Sequence, residues 1–357
     1  MPGRRCIAFA VSSEKTVGTG AAPSGAVTVA RRLADEVLWP AAQDIDRALS
    51  VPEAVLDALA DAGLYGLLGP VEMGGLGAGP DVTAAVFEAL GGGSLATAFV
   101  WVQHHTTVRA IAESTDELRH EWLPGLCSGR TRSGVAVAAL RRPGPPAMVA
   151  EPDGAGVVLH GFAPWVTGWG LIDVVLVAAR DGEDVLWVLV EATTGPAVQA
   201  QRLALAAVDS SSTVKLNIDG LSVPASRIVG RQPYSDWRAG EAPGLTRSGF
   251  LAIGVAQRCV GLLGDQAGDL SRMVDQARRR LFAVDRKAVV AARVEASLTS
   301  VRAATALVAA GGGSSIEADH PAQRLAREAM FLLVFAQTEE IRRSQVQDLT
   351  GRNSGLS

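Results

Sequence analysis

Trp165 and Thr167 stand two residues apart in the segment 154–177, GAGVVLHGFAPWVTGWGLIDVVLV. The segment reads as strand, tight turn, an aromatic-plus-hydroxyl step, and strand again. The step offers an apolar ring beside a hydrogen-bonding group. Its competing reading is ordinary strand packing, since aromatic and β-branched residues favour strands. A second place with chemical potential is His104-His105 in FVWVQHH. Either imidazole has the chemistry of a base or a ligand, yet no third metal ligand lies at a suitable spacing, so a packing role is expected. Gly74-Gly75-Leu76-Gly77-Ala78-Gly79 has the look of a phosphate loop. It lacks the Lys–Ser/Thr of a P-loop and no strand precedes it, so a flexible loop is expected. Gly91-Gly92-Gly93-Ser94 reads as a turn and helix cap, and Arg278-Arg279-Arg280 as a solvated helix face.

The elements that must position these residues follow from periodicity. Val27, Ala30, Leu33, Ala34, Val37 and Leu38 recur at helical spacing. Pro52 opens a second helix that Gly63 ends, and Asp81 is placed to cap a third. Further helices are predicted over 95–112 and 116–123. After Gly129 the pattern changes to short Val- and Leu-rich runs at 134–140, 157–160, 173–179, 185–191 and 213–218, punctuated by Gly, Pro and Asp. These predict a small antiparallel β-domain that ends near Pro224 and Gly230. Helical spacing returns from Pro243, with Val289, Ala292, Leu298 and Val301 on one helix. Leu325, Ala329, Leu332 and Leu333 lie on another, beyond a turn at 311–315. The predicted organisation is a disordered tail (1–25), an N-terminal helical domain (26–131), a β-barrel-like middle domain (132–231) and a C-terminal helical bundle (240–350). The fold class is therefore α+β, mainly α.

Composition narrows the function. With 357 residues, 48% hydrophobic and 20% charged, the chain can bury a large core. Its net charge of −4 is spread along the sequence without a basic stripe, which argues against nucleic acid as a partner. Cys6, Cys127 and Cys259 are sparse and lack metal-site spacing, which fits a reducing cytoplasm and no metal. The apolar run after MPGRRC is too short for a signal peptide. No stretch approaches the roughly 18 apolar residues of a membrane span. A cytoplasmic protein without membrane contact is expected.

Helices, β-domain and helices in that order, together with several local strings, resemble the acyl-CoA dehydrogenase family. The strings are LADAGLYGLLGPVEMGGLG (59–77), WLPGLCSGR (122–130), GVVLHGFAPWVTG (156–168), VDSSSTVKLNIDGLSVPASRIVG (208–230) and LTRSGFLAIGVAQRC (245–259). The resemblance implies FAD as cofactor and an acyl thioester of CoA or a carrier protein as substrate. A carboxylate base would remove the α-proton while the β-hydrogen leaves as hydride. It also implies that Trp165 covers the flavin ring and that Thr167 hydrogen-bonds its polar edge. Val137 and Ala139, on the first β-strand, would lie along the flavin. Arg247 matches an arginine near substrate and base. Partners implied are an electron-acceptor flavoprotein and further subunits, as a homodimer, homotetramer or hetero-oligomer.

Departures from the family pattern are specific. Ala139-Leu140-Arg141-Arg142-Pro143-Gly144-Pro145-Pro146 stands where the family has Thr–Glu–Pro and Gly–Ser–Asp. LSRMV (270–274) replaces the Arg–x–x–Phe–Gly that holds the FAD diphosphate, and Ala163 replaces a lysine. Of the two usual places for the catalytic glutamate, one carries Arg247. The other belongs to a final segment expected to be absent, since the chain stops at Ser357 shortly after DLTGRNSG. The catalytic residue is therefore unassigned, with Asp236, Glu241, Glu339 and Glu340 as substitutes. Two alternatives to α,β-dehydrogenation stay open: a flavin-dependent monooxygenase, whose relatives often carry Ser–Gly where Thr167-Gly168 stands, and a non-catalytic subunit.

Overall fold

In a computed structural model of the chain, residues 23–351 are described, apart from 143, 155, 241 and 284. Most of the predicted tail, with Cys6, lies outside them, as does Glu241. Helix α1 (Pro23–Leu33) already includes Gly25, so the helix starts before the predicted edge. It runs through one π-helical turn (Ala34–Leu38) into α2 (Trp39–Arg47). Pro40 has no N–H to give the preceding turn, which accounts for the widening there. Then come α3 (Glu53–Asp61), α4 (Pro80–Gly93), α5 (Leu95–Ala112) and α6 (Asp116–Ser128). Gly63, at φ 71°, follows α3 in the left-handed conformation that suits glycine. Gly79 occupies the cap position predicted for Asp81; Asp81 lies in the first turn of α4, where its charge favours the helix dipole.

Eight strands form one sheet: β1 (Ser133–Ala136), β2 (Met148–Asp153), β3 (Gly156–Val166), β4 (Val174–Asp181), β5 (Asp184–Glu191), β6 (Val198–Arg202), β7 (Val214–Pro224) and β8 (Ile228–Pro233). Their order is β6-β7-β3-β2-β4-β5-β8, with β1 beside β4. Most pairings are antiparallel, but β1 and β2 each meet β4 in parallel. Strands β2, β6 and β8 were not legible in the sequence. The outermost two, VQAQR and IVGRQP, are polar or interrupted by Gly and Pro, as edge strands often are. Strand β4 alternates between two cores: Val175, Val177 and Ala179 pack inside the sheet, while Val174 and Leu176 face Val108, Ile111 and Leu123 of α5 and α6. Burial on both faces explains its unbroken apolar run.

The chain closes with α7 (Tyr234–Ala239), α8 (Ala242–Leu263), α9 (Leu270–Arg280), α10 (Arg286–Gly311), α11 (Pro321–Val334) and α12 (Glu339–Thr350). Helices from both ends of the sequence share one core, in which Phe87, Leu90 and Trp101 meet Leu251, Ile253 and Leu332. Phe99 of α5 packs edge-on against Phe331 and Phe335, with ring centroids 4.8 and 4.9 Å away. Among the described residues no helix is long and apolar enough to cross a membrane.

The glycines at 91–93 correct their predicted role. They form the last turn of α4, fully buried, and only Ser94 is a cap, accepting from the Thr97 N–H at 3.4 Å. α4 and α8 touch backbone to backbone there. A Cβ on Gly254 would sit 2.1 Å from the Glu88 carbonyl oxygen, and one on Gly92 would sit 2.8 Å from that of Gly254. Gly254→Ala is expected to destabilise the fold by about 1–3 kcal/mol through overpacking, despite alanine's better helix propensity. Denaturant unfolding of the two proteins measures it; a neutral or stabilising result would mean that the helices can part without loss.

Candidate functional site

A cavity of about 780 Å³ opens where α5, the ends of the sheet, α7, the start of α8 and the end of α11 converge. Trp165 and Pro164 line it through a local irregularity. The β3–β7 register shifts between Ala163 and Val166, so the two intervening residues have no partner across the ladder. Pro164 has no N–H to pair, which suits a bulge. The bulge turns Trp165 to the cavity and leaves it 40% exposed, unusual for an indole. Ala163 and Val166, on either side, are fully buried in the sheet core.

Thr167 follows the bulge, nearly buried on the same wall. Its Oγ1 lies 3.2 Å from that of Thr213, which lies 2.8 Å from Ser211 Oγ. The turn carrying Ser211 bends through two non-glycine left-handed residues, Val208 (φ 53°) and Ser212 (φ 52°). A β-branched residue rarely adopts that conformation, so strain is concentrated next to this hydroxyl chain. Gly168, at φ 88°, lets the main chain turn away and donates to the Ser211 carbonyl at 2.9 Å.

Val137 and Ala139 are not on a strand. β1 stops at Ala136, and Val137 turns into a short 3-10 helix, Ala138–Arg141. Val137 lines the cavity, whereas Ala139 is buried in the sheet core. The cause is local: the Val137 carbonyl accepts from Leu140 N–H at 3.0 Å, and Tyr234 Oη anchors the Leu140 carbonyl at 3.0 Å.

Arg247 projects from the first turns of α8 into the cavity with Ser248 beside it. Burial and the charge of Arg109 lower its pKa to about 10. Arg109 lies one turn beyond His105 on α5, so the two share a face. His105 is buried against Trp101, centroids 4.4 Å apart, and lines the cavity with neither ring nitrogen hydrogen-bonded. Burial, then the neighbouring His104 and Arg247, keep it neutral well below the ordinary imidazole value. His104 points elsewhere and fulfils the packing role expected of it. Its Nδ1 accepts from Ser133 N–H at 3.2 Å, so its Nε2 carries the proton, 3.1 Å from the Leu126 carbonyl. At the far wall, the fully buried Arg293 donates to the carbonyls of Leu332 and Phe335, at 2.7 and 3.0 Å. It thereby fixes the turn Phe335–Ala336–Gln337 that borders the cavity.

The sequence candidates for a base do not gather here. Asp236 is exposed on α7, where it accepts from Ser235 at 3.2 Å. Glu339 and Glu340 open α12, paired with Arg342 and Arg286. Among the described residues the one carboxylate lining the cavity is Glu113, exposed and 3.6 Å from Arg109. The Gly74–Gly79 loop is far from flexible: it is zipped to the 66–70 segment by backbone hydrogen bonds, among them Leu76 N–H to Gly66 O at 2.8 Å. Arg278 likewise is no solvated charge, since it ties α9 to Glu88 of α4 at 2.8 Å. Arg272 of LSRMV is exposed and paired with Asp269. The cavity roles of His105, Arg109 and Phe335 were missed. Their only sequence signal was the i, i+4 spacing of the first two.

The fold is a sheet between two sets of helices, with the cavity where they converge. Residues 26–130 match the model of the acyl-CoA dehydrogenase N-terminal domain. The chain is 24% identical over 356 residues to a probable acyl-CoA dehydrogenase, fadE25, of Mycobacterium leprae, covering 88% of this chain and 91% of that protein. The structure resembles butyryl-CoA dehydrogenase from Megasphaera elsdenii, with TM-score 0.78, 17% identity and coverage of 94% and 99%. It also resembles a glutaryl-CoA dehydrogenase from Mycobacterium smegmatis in complex with FADH2, with TM-score 0.78, 18% identity and coverage of 93% and 95%. Residues 26–130 thus match the N-terminal domain of acyl-CoA dehydrogenases, and over 88% of its length the chain is distantly similar to a probable member of that family.

His104 carries a pH prediction. Burial lowers its pKa from 6.5 to about 3, so the unfolded chain binds the proton more readily than the folded one. Its contribution is complete above pH 6.5 and is lost as pH falls towards 3. Unfolding free energy should therefore decline on acidification through that window, and more shallowly in His104→Gln. Equal slopes would assign the decline to other groups.

Proposed function

We propose that the protein is an FAD-dependent oxidoreductase that performs α,β-dehydrogenation of an acyl thioester in this cavity. The observation that carries the reading is the bulge at Pro164–Trp165, which presents an exposed indole close in sequence to the buried Thr167 hydroxyl in the cavity that Arg247 also lines. This donor set fits a flat ring with a polar edge. Trp165 would give apolar cover and exclude water. Thr167, braced by Thr213 and Ser211, would donate to the ring edge with little reorganisation. FAD, when bound, supplies a two-electron acceptor. Phe99, Phe331 and Phe335 give the acyl chain an apolar lining.

The α-proton needs an acceptor, and the described lining supplies none of the right kind. His105 is held neutral but is weakly basic, because its cation would be buried beside Arg247. The proton is therefore assigned to a carboxylate outside the described residues, either Glu241 or one from a partner subunit. That Glu113, exposed and beside Arg109, is the one carboxylate among the described lining residues favours a second reading, flavin-dependent monooxygenation, which needs no such base.

The purified protein should carry near-stoichiometric FAD, seen in its visible spectrum and quantified after heat release. Thr167→Val should weaken FAD binding by roughly tenfold, the value of one well-placed hydrogen bond, and leave the fold intact. A protein that takes up no FAD even on soaking would refute the reading. With FAD present, acyl-CoA turnover with an artificial acceptor that is lost in Glu241→Gln, or that appears only with a partner subunit, identifies the base. Oxygen consumption coupled to hydroxylation would establish the monooxygenase instead.

A further inference from the structure

We propose that the cavity receives a ligand bearing a free carboxylate, held by Arg247 and Arg109 with His105 beside them. On the acyl-thioester reading above, on which this rests, the substrate is the thioester of a dicarboxylic acid, with its second carboxylate at the end away from the sulfur.

Among the described residues the charge of Arg247 has no balancing partner. Arg247 lines the cavity, and among the described residues no carboxylate lies within ion-pair distance of it and no hydrogen-bond acceptor meets it. The charge that acts on it is that of a second cation, Arg109, which disfavours its protonated form. Arg109 has Glu113 at 3.6 Å, but that carboxylate is mostly solvent-exposed and therefore weakly felt. Other lining arginines are engaged: Arg231 with Asp181 and Asp184, and Arg142 over the Phe162 ring, 5.3 Å from its centroid. A guanidinium largely removed from water without a counter-charge is costly. Such a group persists where a ligand supplies the missing partner.

His105 gives an independent observation. It is fully buried, it lines the same cavity, and both of its ring nitrogens lack partners. Buried polar side chains are rarely left this way. A neutral imidazole can donate one N–H to an oxygen, and one within reach of two arginines is suited to a carboxylate, which has lone pairs for all three donors. The arginine fork matches two carboxylate oxygens, which an ester, amide or hydrocarbon end does not offer.

The test is calorimetric and needs no turnover. Succinyl-, glutaryl- and adipyl-CoA are titrated against butyryl-, pentanoyl- and hexanoyl-CoA, so that each pair differs only in the terminal carboxylate. FAD content is measured on the same samples. In at least one pair the carboxylate form should bind roughly tenfold tighter or better. Arg247→Met should bring that ratio to within about twofold of unity, and Arg247→Lys should keep part of it. If Arg247→Met does not fold by circular dichroism, Arg109→Met is the second variant, with a reduced ratio expected. Equal affinity in all three pairs, or a preference that survives both substitutions, overturns the proposal. If no thioester binds, the acyl-thioester reading fails by itself. The carboxylate site is then decided by free glutarate against pentanamide in a thermal-shift titration, where stabilisation by glutarate alone supports it and none refutes it. A carboxylate preference in protein without FAD would likewise separate this site from the flavin reading.

Discussion

The backbone contact between α4 and α8 is the constraint on which the site depends. Gly91 and Gly92 face Leu251 and Gly254 with no room for a side chain on any of the glycines. Gly93, one residue on, presses against Ala34 and Leu38. Helices drawn from opposite ends of the sequence are thereby held closer than ordinary side-chain packing permits. That approach fixes the axis of α8, and with it the place where Arg247 meets the cavity. On the α4 side, Phe87 lies one turn before Gly91 and packs edge-on against Trp101, which seats α5. The same helical core thus brings His105, Arg109 and Arg247 to one cavity.

The sheet contributes the other wall, and it does so through a defect. Alternation along β3 would bury every second residue and expose the next to solvent. The shift at Ala163–Val166 interrupts that pattern and delivers two consecutive residues to the cavity. The hydroxyl chain Thr167–Thr213–Ser211 then depends on a turn that no ordinary backbone conformation supplies, since Val208 and Ser212 are both left-handed. Such strain is retained only where surrounding structure over-determines it. Here the Ser210 carbonyl is held by Val51 N–H at 2.8 Å, and Ser211 is fully buried.

The order helices, sheet, helices was legible because its signals are local. Apolar spacing marks α3, α5 and α11, and Gly63 ends α3 where the sequence indicates. The edge strands β6 and β8 were not legible, because an edge strand lacks the apolar run that marks a central one. Trp165 and Thr167, two residues apart in the sequence, both line the cavity. Val137 and Ala139 illustrate the limit: the strand was foreseen, but its early end is set by Tyr234, almost a hundred residues away, through one hydrogen bond to Leu140. His105 was read as packing because it stands in the apolar run FVWVQHH with no third metal ligand at a suitable spacing. That its nitrogens go unpaired is a fact of tertiary structure, invisible to spacing.

The electrostatics of the cavity distinguish this chain from the family pattern it otherwise follows. Abstraction of a proton next to a thioester calls for a base that holds negative charge and can be neutralised. Arg247 and the turn at Phe335–Gln337 line the cavity, and neither brings a carboxylate to it. What the described lining offers instead is mostly cationic: five arginines against the one exposed carboxylate of Glu113, and an imidazole that burial keeps uncharged. Replacing an anion by cations in a poorly solvated space alters more than one step. It strengthens the hold on any anionic ligand, because Coulomb attraction there is weakly screened. It also lowers the basicity of every group nearby, since each protonation would add positive charge to a space already positive. Recognition of an anion and removal of a proton by this chain's own lining are therefore in opposition. The described lining suits the first, and under the proposed dehydrogenation the base would come from outside the described residues.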